Sequence, residues 1–203
     1  MRPSLRLALS TALVASTTLP AAAQQPASSG TAANAANAGT AAATLTADLL
    51  TDIGQAEQKF VALARAIPAD KFDWRPGQGV RSIGEVLRHV AADNYLLPAV
   101  LGHAADPSTG IKGDDYKTAQ AYERRQLDRD ATIAELEKSF AHLKRAVSGT
   151  PAAKLGDRVS MFGQPFTVQQ AWIMTATHLH EHLGQLIAYA RSNGVAPPWS
   201  QGE

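Results

Sequence analysis

The sequence predicts an all-α protein built as a four-helix bundle. Four stretches place apolar residues three and four positions apart, as one face of an α-helix does. Two of these stretches begin with the residue pattern of a capping box, which marks the first turn of a helix. The connections between the stretches differ greatly in length, and helices with such amphipathic faces bury them against one another in a bundle.

The first residues are typical of a secretory signal. Residues 1–23 combine Arg2 and Arg6 with a short apolar run and an Ala-Ala-Ala cleavage site that ends at Ala23. The run is too short and too rich in Ser and Thr for a stable membrane span. We therefore expect an exported bacterial protein, periplasmic or secreted, that keeps no membrane span after the signal is removed.

Composition excludes several functions. The net charge is +1 and no basic block is present, so nothing favours a nucleic-acid partner. The absence of cysteine excludes disulfides, thiolate metal ligands and a thiol nucleophile. Residues 24–43 carry no charge and no large apolar side chain, which predicts a disordered linker rich in Ala, Gly and Ser. Residues 44–203 are then one bundle domain.

The first two helices have clear limits. The apolar stripe predicts helix one from about Thr46 to Ala66. Ser82 and Glu85 form the capping box that opens helix two, and Gly102 ends it. Pro98 lies in the last turns of helix two and should loosen that end.

The middle of the chain is harder to assign. Residues 103–127 are polar and rich in turn residues, with helical character only from Tyr116 to Arg125. Helix three is expected to begin at Asp130, as N-cap, and to end at Gly149. Residues 158–166 form either a small hairpin or a loop.

Helix four carries the second capping box. Thr167 and Gln170 open it, and the helix is expected to run to Arg191. Asn193 and Gly194 then end it.

Three histidines form a candidate metal site. His178 and His182 lie four residues apart on one face of helix four, close enough to share an ion, and His89 of helix two is the third ligand. Their nearest ring nitrogens should lie within roughly 3 to 4 Å of one another. Three neutral ligands leave the ion its full charge, which lowers the pKa of a bound water or polarises a substrate oxygen. Imidazoles suit zinc or nickel first, with iron, copper or manganese as alternatives.

Two further residues lie beside this site. Asp93, one turn beyond His89, is an outer partner, an extra ligand or a solvated charge at the rim. Gln185 falls on the His178 face and could orient a ligand. Glu181 points away on the helix, so no general base is assigned and the catalytic residues stay unknown.

The other three histidines have structural interpretations. His180 should face the opposite side of helix four from the two ligands and be exposed. His103 follows the end of helix two, where a cation is a common partner of the helix terminus. His142 lies off the apolar stripe of helix three and is expected to be exposed.

The chain resembles a known family. The residues from Trp74 to Pro76, those from Arg81 to Val90, and the run from His178 to Gln185 resemble the DinB-like proteins of the DinB/YfiT superfamily. The resemblance implies a four-helix bundle of up-down-down-up connectivity with long loops between helices. It also implies a divalent metal held by His89, His178 and His182. Some members are thiol-dependent transferases or isomerases, and many have no known activity.

The sequence departs from the family beside the site. Members often carry a histidine before and a basic residue after the ligand that corresponds to His182, where this chain has Glu181 and Leu183. Without that cation, binding of an anionic thiol cofactor has less support. We expect a metal-dependent enzyme, hydrolase- or transferase-like, acting on an unidentified small molecule. The alternative is a non-catalytic metal-binding or interaction scaffold, and a homodimer is left open.

Overall fold

The computed structural model describes residues 28–200, with side chains from residue 37 onward. The predicted signal, residues 1–23, lies outside the described residues. The described part contains five α-helices and one two-stranded hairpin. The helices are α1 (Ser28–Ala66), α2 (Ile83–Val100), α3 (Tyr116–Glu123), α4 (Arg129–Gly149) and α5 (Val168–Ser192), and the strands are β1 (Arg158–Met161) and β2 (Gln164–Thr167).

The main contacts between helices define the bundle. α1 and α2 each pack against both α4 and α5, so α1 and α2 occupy opposite corners. The core between them is apolar, and the rings of Phe60 and Phe140 meet with centroids 5.8 Å apart. The all-α bundle is thus confirmed, with α4 and α5 as the predicted third and fourth helices. The up-down-down-up helix directions stay a prediction.

The start of α1 differs from the prediction. The helix begins at Ser28 rather than near Thr46, so residues 28–43 are helical where the sequence predicts a linker. All of residues 37–43 except Ala42 are exposed, and Ala42 packs against the core. The many alanines of residues 28–43 have the highest helix propensity, and the helix continues from the packed turns that follow. The division into signal, linker and domain stays a prediction.

Both capping boxes are present. The Ser82 amide donates to Glu85 Oε2 at 2.7 Å, and the Thr167 amide donates to Gln170 Oε1 at 2.8 Å. Each side chain at the N-cap also accepts from the amide three residues on. Gly102 follows the end of α2 with φ of 92°, a conformation that favours glycine. The limits of α2 and the start of α5 therefore follow the sequence closely.

The start of α4 needs a small correction. The N-cap is Asp128 rather than Asp130, because the Oδ1 atom of Asp128 accepts from the Ala131 amide at 2.8 Å. Asp130 already lies in the first helical turn, where an acidic residue suits the helix dipole.

The two segments between the long helices are ordered. Residues 103–127 contain α3, which packs against α2. Gly113 permits this approach, since a side chain there would collide with the main chain of Ala99. Residues 158–167 form the hairpin and not a loop: Phe162 and Gly163 both have positive φ, as a type I′ turn requires. Within residues 28–200, no helix is long and apolar enough to cross a membrane.

Candidate metal centre

The structure brings the three predicted histidines together. His89 on α2 faces His178 and His182 on α5, with ring centroids 4.4 to 5.4 Å apart. One ring nitrogen from each lies within 4.8 Å of the others. The three rings therefore converge as predicted. The 4.8 Å limit is wider than the predicted separation of 3 to 4 Å between ring nitrogens, so that closer separation is not confirmed. Such a group could hold a metal ion. The assignment of the three histidines as metal ligands stays a prediction.

The Nδ1 atom of each ring faces an acceptor. Nδ1 of His89 lies 2.8 Å from Glu123 Oε1, and Nδ1 of His182 lies 2.8 Å from Gln185 Oε1. Nδ1 of His178 lies 3.6 Å from Glu181 Oε2, too far for a hydrogen bond but close enough for attraction. In His89 and His182 the acceptor at Nδ1 fixes the proton there and leaves Nε2 as the nitrogen that can bind a metal. His178 differs, because its hydrogen bond is made by Nε2, which lies 2.8 Å from Asp93 Oδ2.

Asp93 is part of the centre. Its side chain is buried, and Oδ2 lies 2.8 Å from His178 Nε2 and 3.4 Å from His89 Nε2. This excludes the interpretation as a solvated charge at the rim. The hydrogen bond with Asp93 raises the pKa of His178 above its ordinary value, although burial opposes it. Because Asp93 faces two Nε2 atoms, it fits a fourth ligand or a partner of the ligands.

Glu123 is the site residue that the sequence did not reveal. It ends α3, and its carboxylate joins His89 Nδ1 through Oε1 to Arg81 Nη2 through Oε2, the latter at 3.2 Å. Burial alone would raise the pKa of Glu123, but the hydrogen bonds and charges of His89 and Arg81 outweigh it and lower the pKa. His89, Asp93 and Glu123 also form a second group that could hold a metal.

Gln185 lies beside the site as predicted, although it contacts His182 and not His178. It accepts from His182 through Oε1 and donates through Nε2 to the Tyr189 hydroxyl at 2.9 Å. The Tyr189 ring meets Trp74 edge to face, with centroids 5.5 Å apart. Burial lowers the pKa of His182, which favours the neutral imidazole that metals bind.

Glu181 keeps its predicted orientation. Its side chain is 75% exposed and approaches only the outer nitrogen of His178. The Glu181 carboxylate therefore points away from the space between the three histidine rings.

The remaining histidines lie elsewhere. His180 is exposed, as predicted, and pairs with Asp52 at 2.9 Å. The prediction that His142 is exposed is wrong: it is buried, and its ring packs 5.4 Å from that of Tyr95, because this side of α4 faces α2. His103 follows the end of α2, where the sequence places it. Burial lowers the pKa of His103, which favours the neutral ring, and its Nε2 lies 3.1 Å from Thr150 Oγ1.

The fold and the histidine group together define a helical-bundle protein with a candidate metal centre. The sequence profile of the DinB superfamily matches residues 52–186. The chain therefore belongs to the DinB superfamily. No curated protein sequence matches it.

Solved structures agree on the fold. A conserved protein from Enterococcus faecalis superposes with a TM-score of 0.61 at 16% identity, over 72% of this chain and 95% of its own. A DinB-like protein from Bacillus cereus gives 0.56 at 16% identity, over 74% and 93%. A DinB-like protein from Bacillus subtilis gives 0.52 at 17% identity, over 72% and 92%. At such identities the likeness shows the fold alone.

Proposed function

We propose that the protein binds one divalent metal ion through the Nε2 atoms of His89, His178 and His182. The observation that carries this proposal is the orientation of the three rings. One nitrogen from each comes within 4.8 Å of the others. In His89 and His182 the Nδ1 atom is hydrogen-bonded to an acceptor, and in His178 the hydrogen-bonded atom is Nε2, which lies 2.8 Å from Asp93 Oδ2. Metal-binding histidines are typically held in this way by a carboxylate or amide on the far nitrogen.

The donor set fits a first-row divalent ion. Imidazole nitrogen is a good ligand for zinc, nickel, copper and iron, and Asp93 offers an oxygen beside two of the rings. When bound, such an ion supplies Lewis-acid chemistry that polarises an oxygen of the substrate or of water. We rank zinc and nickel first and keep iron, copper and manganese as alternatives.

We further propose that the centre is catalytic and acts on a small molecule, with hydrolase- or transferase-like chemistry, in an exported protein. The partial exposure of the site supports this: the His178 side chain is 23% exposed, while that of His89 is 8% exposed. On this proposal, a substrate approaches the centre from the His178 side. The alternative is a metal-binding or interaction scaffold without catalysis.

Metal analysis of purified protein tests the first proposal. We expect close to one equivalent of metal in the natural protein and in His180→Ala, and little in His182→Ala. The two variants are matched, because both histidines lie on α5 and only His182 faces the other two rings. Equal metal content in the two variants would overturn the three-histidine site.

Melting curves of the same proteins distinguish an enzyme from a scaffold. The core of the bundle is built from many apolar side chains, so a catalytic centre can lose its metal while the bundle stays folded. His182→Ala should then melt within a few degrees of the natural protein. Unfolding of His182→Ala on loss of the metal would favour the scaffold, because a structural ion contributes its binding energy to folding.

A further inference from the structure

We propose that an arginine-lined cleft beside the metal centre binds an oxyanion group, phosphate or carboxylate, of a small molecule. The cleft has a volume of about 360 Å³ and lies between the start of α2 and the end of α3. This volume is in the range of small-molecule sites. The proposal rests on the proposed function in one respect, since the bound molecule would be the substrate of that centre.

The charge of the cleft favours an anion. Four arginines and two glutamates line it, an excess of positive charge in a chain whose net charge is only +1. These residues are Arg75, Arg81, Arg88, Arg124, Glu85 and Glu123. Because the four guanidinium groups line one cleft, their positive charges act together on an anion that enters it.

Two of the four arginines form ion pairs with the glutamates of the cleft. Arg75 holds both oxygens of Glu85 at 3.2 Å and also donates to the Val80 carbonyl. Arg81 pairs with Glu123 Oε2. These pairs shape the walls of the cleft and leave the binding of a ligand to the other two arginines.

Arg88 and Arg124 keep donors for a ligand. Arg88 uses only its Nε, which donates to the Glu123 carbonyl at 3.0 Å. Arg124 is exposed, and its main-chain carbonyl accepts from Gln126 Nε2 at 3.2 Å. Its guanidinium forms no hydrogen bond or ion pair with any residue in the described range 28–200. A guanidinium offers five N–H donors in a planar fork that matches phosphate and carboxylate oxygens. Both side chains line the same cleft, so together they can hold one oxyanion.

Glu123 connects the cleft with the metal centre. One of its oxygens accepts from His89 and the other pairs with Arg81, and its side chain is only 15% exposed. A single carboxylate therefore separates a cleft arginine from a candidate metal ligand. An anionic group anchored in the cleft would hold the rest of its molecule next to the centre.

Binding of simple anions tests the proposal without metal. The metal-free protein is titrated at low ionic strength with inorganic phosphate and, separately, with acetate, and the backbone amides are followed by NMR. We expect saturable shifts confined to residues 75–88 and 123–126. Arg124→Gln should weaken binding about tenfold, the effect of one lost charge-assisted hydrogen bond. Arg191→Gln, an exposed arginine at the end of α5, should change nothing. The tighter-binding anion identifies the group that the cleft recognises.

The outcomes separate this proposal from the metal site. The absence of saturable shifts with both anions, or binding that is equal in Arg124→Gln, would overturn the cleft. Phosphate binding that needs added zinc and disappears in His182→Ala would place the anion on the metal and also overturn the cleft. Arg124-dependent binding in a protein that takes up no metal would keep the cleft and overturn the proposed function.

Discussion

The surroundings of the ring nitrogens distinguish the three histidines of the metal centre from His103, which follows α2, and His142, which lies on α4. His89, His178 and His182 each turn one nitrogen toward the other two rings, and His89 and His182 hold Nδ1 against an acceptor. His103 and His142 instead pack against Trp172 and Tyr95, with ring centroids 6.1 and 5.4 Å apart. Burial lowers the pKa of both. Burial alone thus makes a histidine a neutral packing group, and acceptors at Nδ1 give it the orientation of a ligand.

The largest expected effect comes from removing one histidine from each group and comparing the zinc affinities of the two variants. His178→Ala removes a ligand nitrogen and should weaken zinc binding by more than about 100-fold, beyond the range for loss of an outer partner. His142→Ala should leave zinc affinity unchanged, although it removes a buried ring from the interface of α4 with α2. Competition with a chelator measures both affinities. An equal loss in the two variants would erase the distinction between the groups.

The acceptors at Nδ1 should have the next largest effect. Glu123→Ala leaves the His89 ring without its partner and should weaken metal binding by about 10- to 100-fold. Glu135→Ala is the control, since that carboxylate bonds the Tyr122 hydroxyl and Lys138 away from the site. Full affinity in Glu123→Ala would show that the ring is oriented by packing and not by its acceptor.

A smaller loss is expected at Gln185, whose amide carries no charge. Gln185→Ala should weaken metal binding by about tenfold, the lower end of the range for outer partners. Gln169→Ala, at an exposed position in the first turn of α5, should have no effect. The chelator competition used for Glu123→Ala ranks the two acceptors directly, and a larger loss at Gln185 than at Glu123 would contradict the account.

The smallest effect concerns pH. Burial, aided by the charge of Arg145, lowers the pKa of His142 below its ordinary value, so the unfolded chain takes up a proton before the folded chain does. The free energy of unfolding should therefore fall as pH drops below about 6.5, the ordinary pKa of histidine. In His142→Gln this fall should be shallower. Urea unfolding at several pH values, with a chelator present, measures it; His180→Gln serves as the exposed control. If the free energy of unfolding fell equally with pH in all three proteins, the result would contradict the claim that burial lowers the pKa of His142.

Local patterns account for most of what could be predicted. Periodicity and the capping boxes located α2 and α5, and these two helices carry all three site histidines. The i, i+4 spacing of His178 and His182 placed them on one face, and the family resemblance supplied His89 as their partner. Each of these signals is short-range in the sequence or shared by the family.

The features that were missed depend on packing between distant segments. Glu123 reaches His89 only because α3 packs against α2. No apolar periodicity in residues 103–127 predicts this packing. The local signal for that helix was the helical character from Tyr116 to Arg125, and the structure adds the Asp115 side chain as its N-cap. His142 lies off the apolar stripe of α4, yet α2 covers it. In each case the neighbour that decides the environment is far away in the chain.

The most direct test of the metal centre is anomalous diffraction from crystals grown with zinc. We predict a single strong peak about 2.0 to 2.1 Å from the Nε2 atoms of His89, His178 and His182. A peak held only by Asp93 and Glu123, a peak at His103 and His142, or no peak at the three histidines would contradict the assignment.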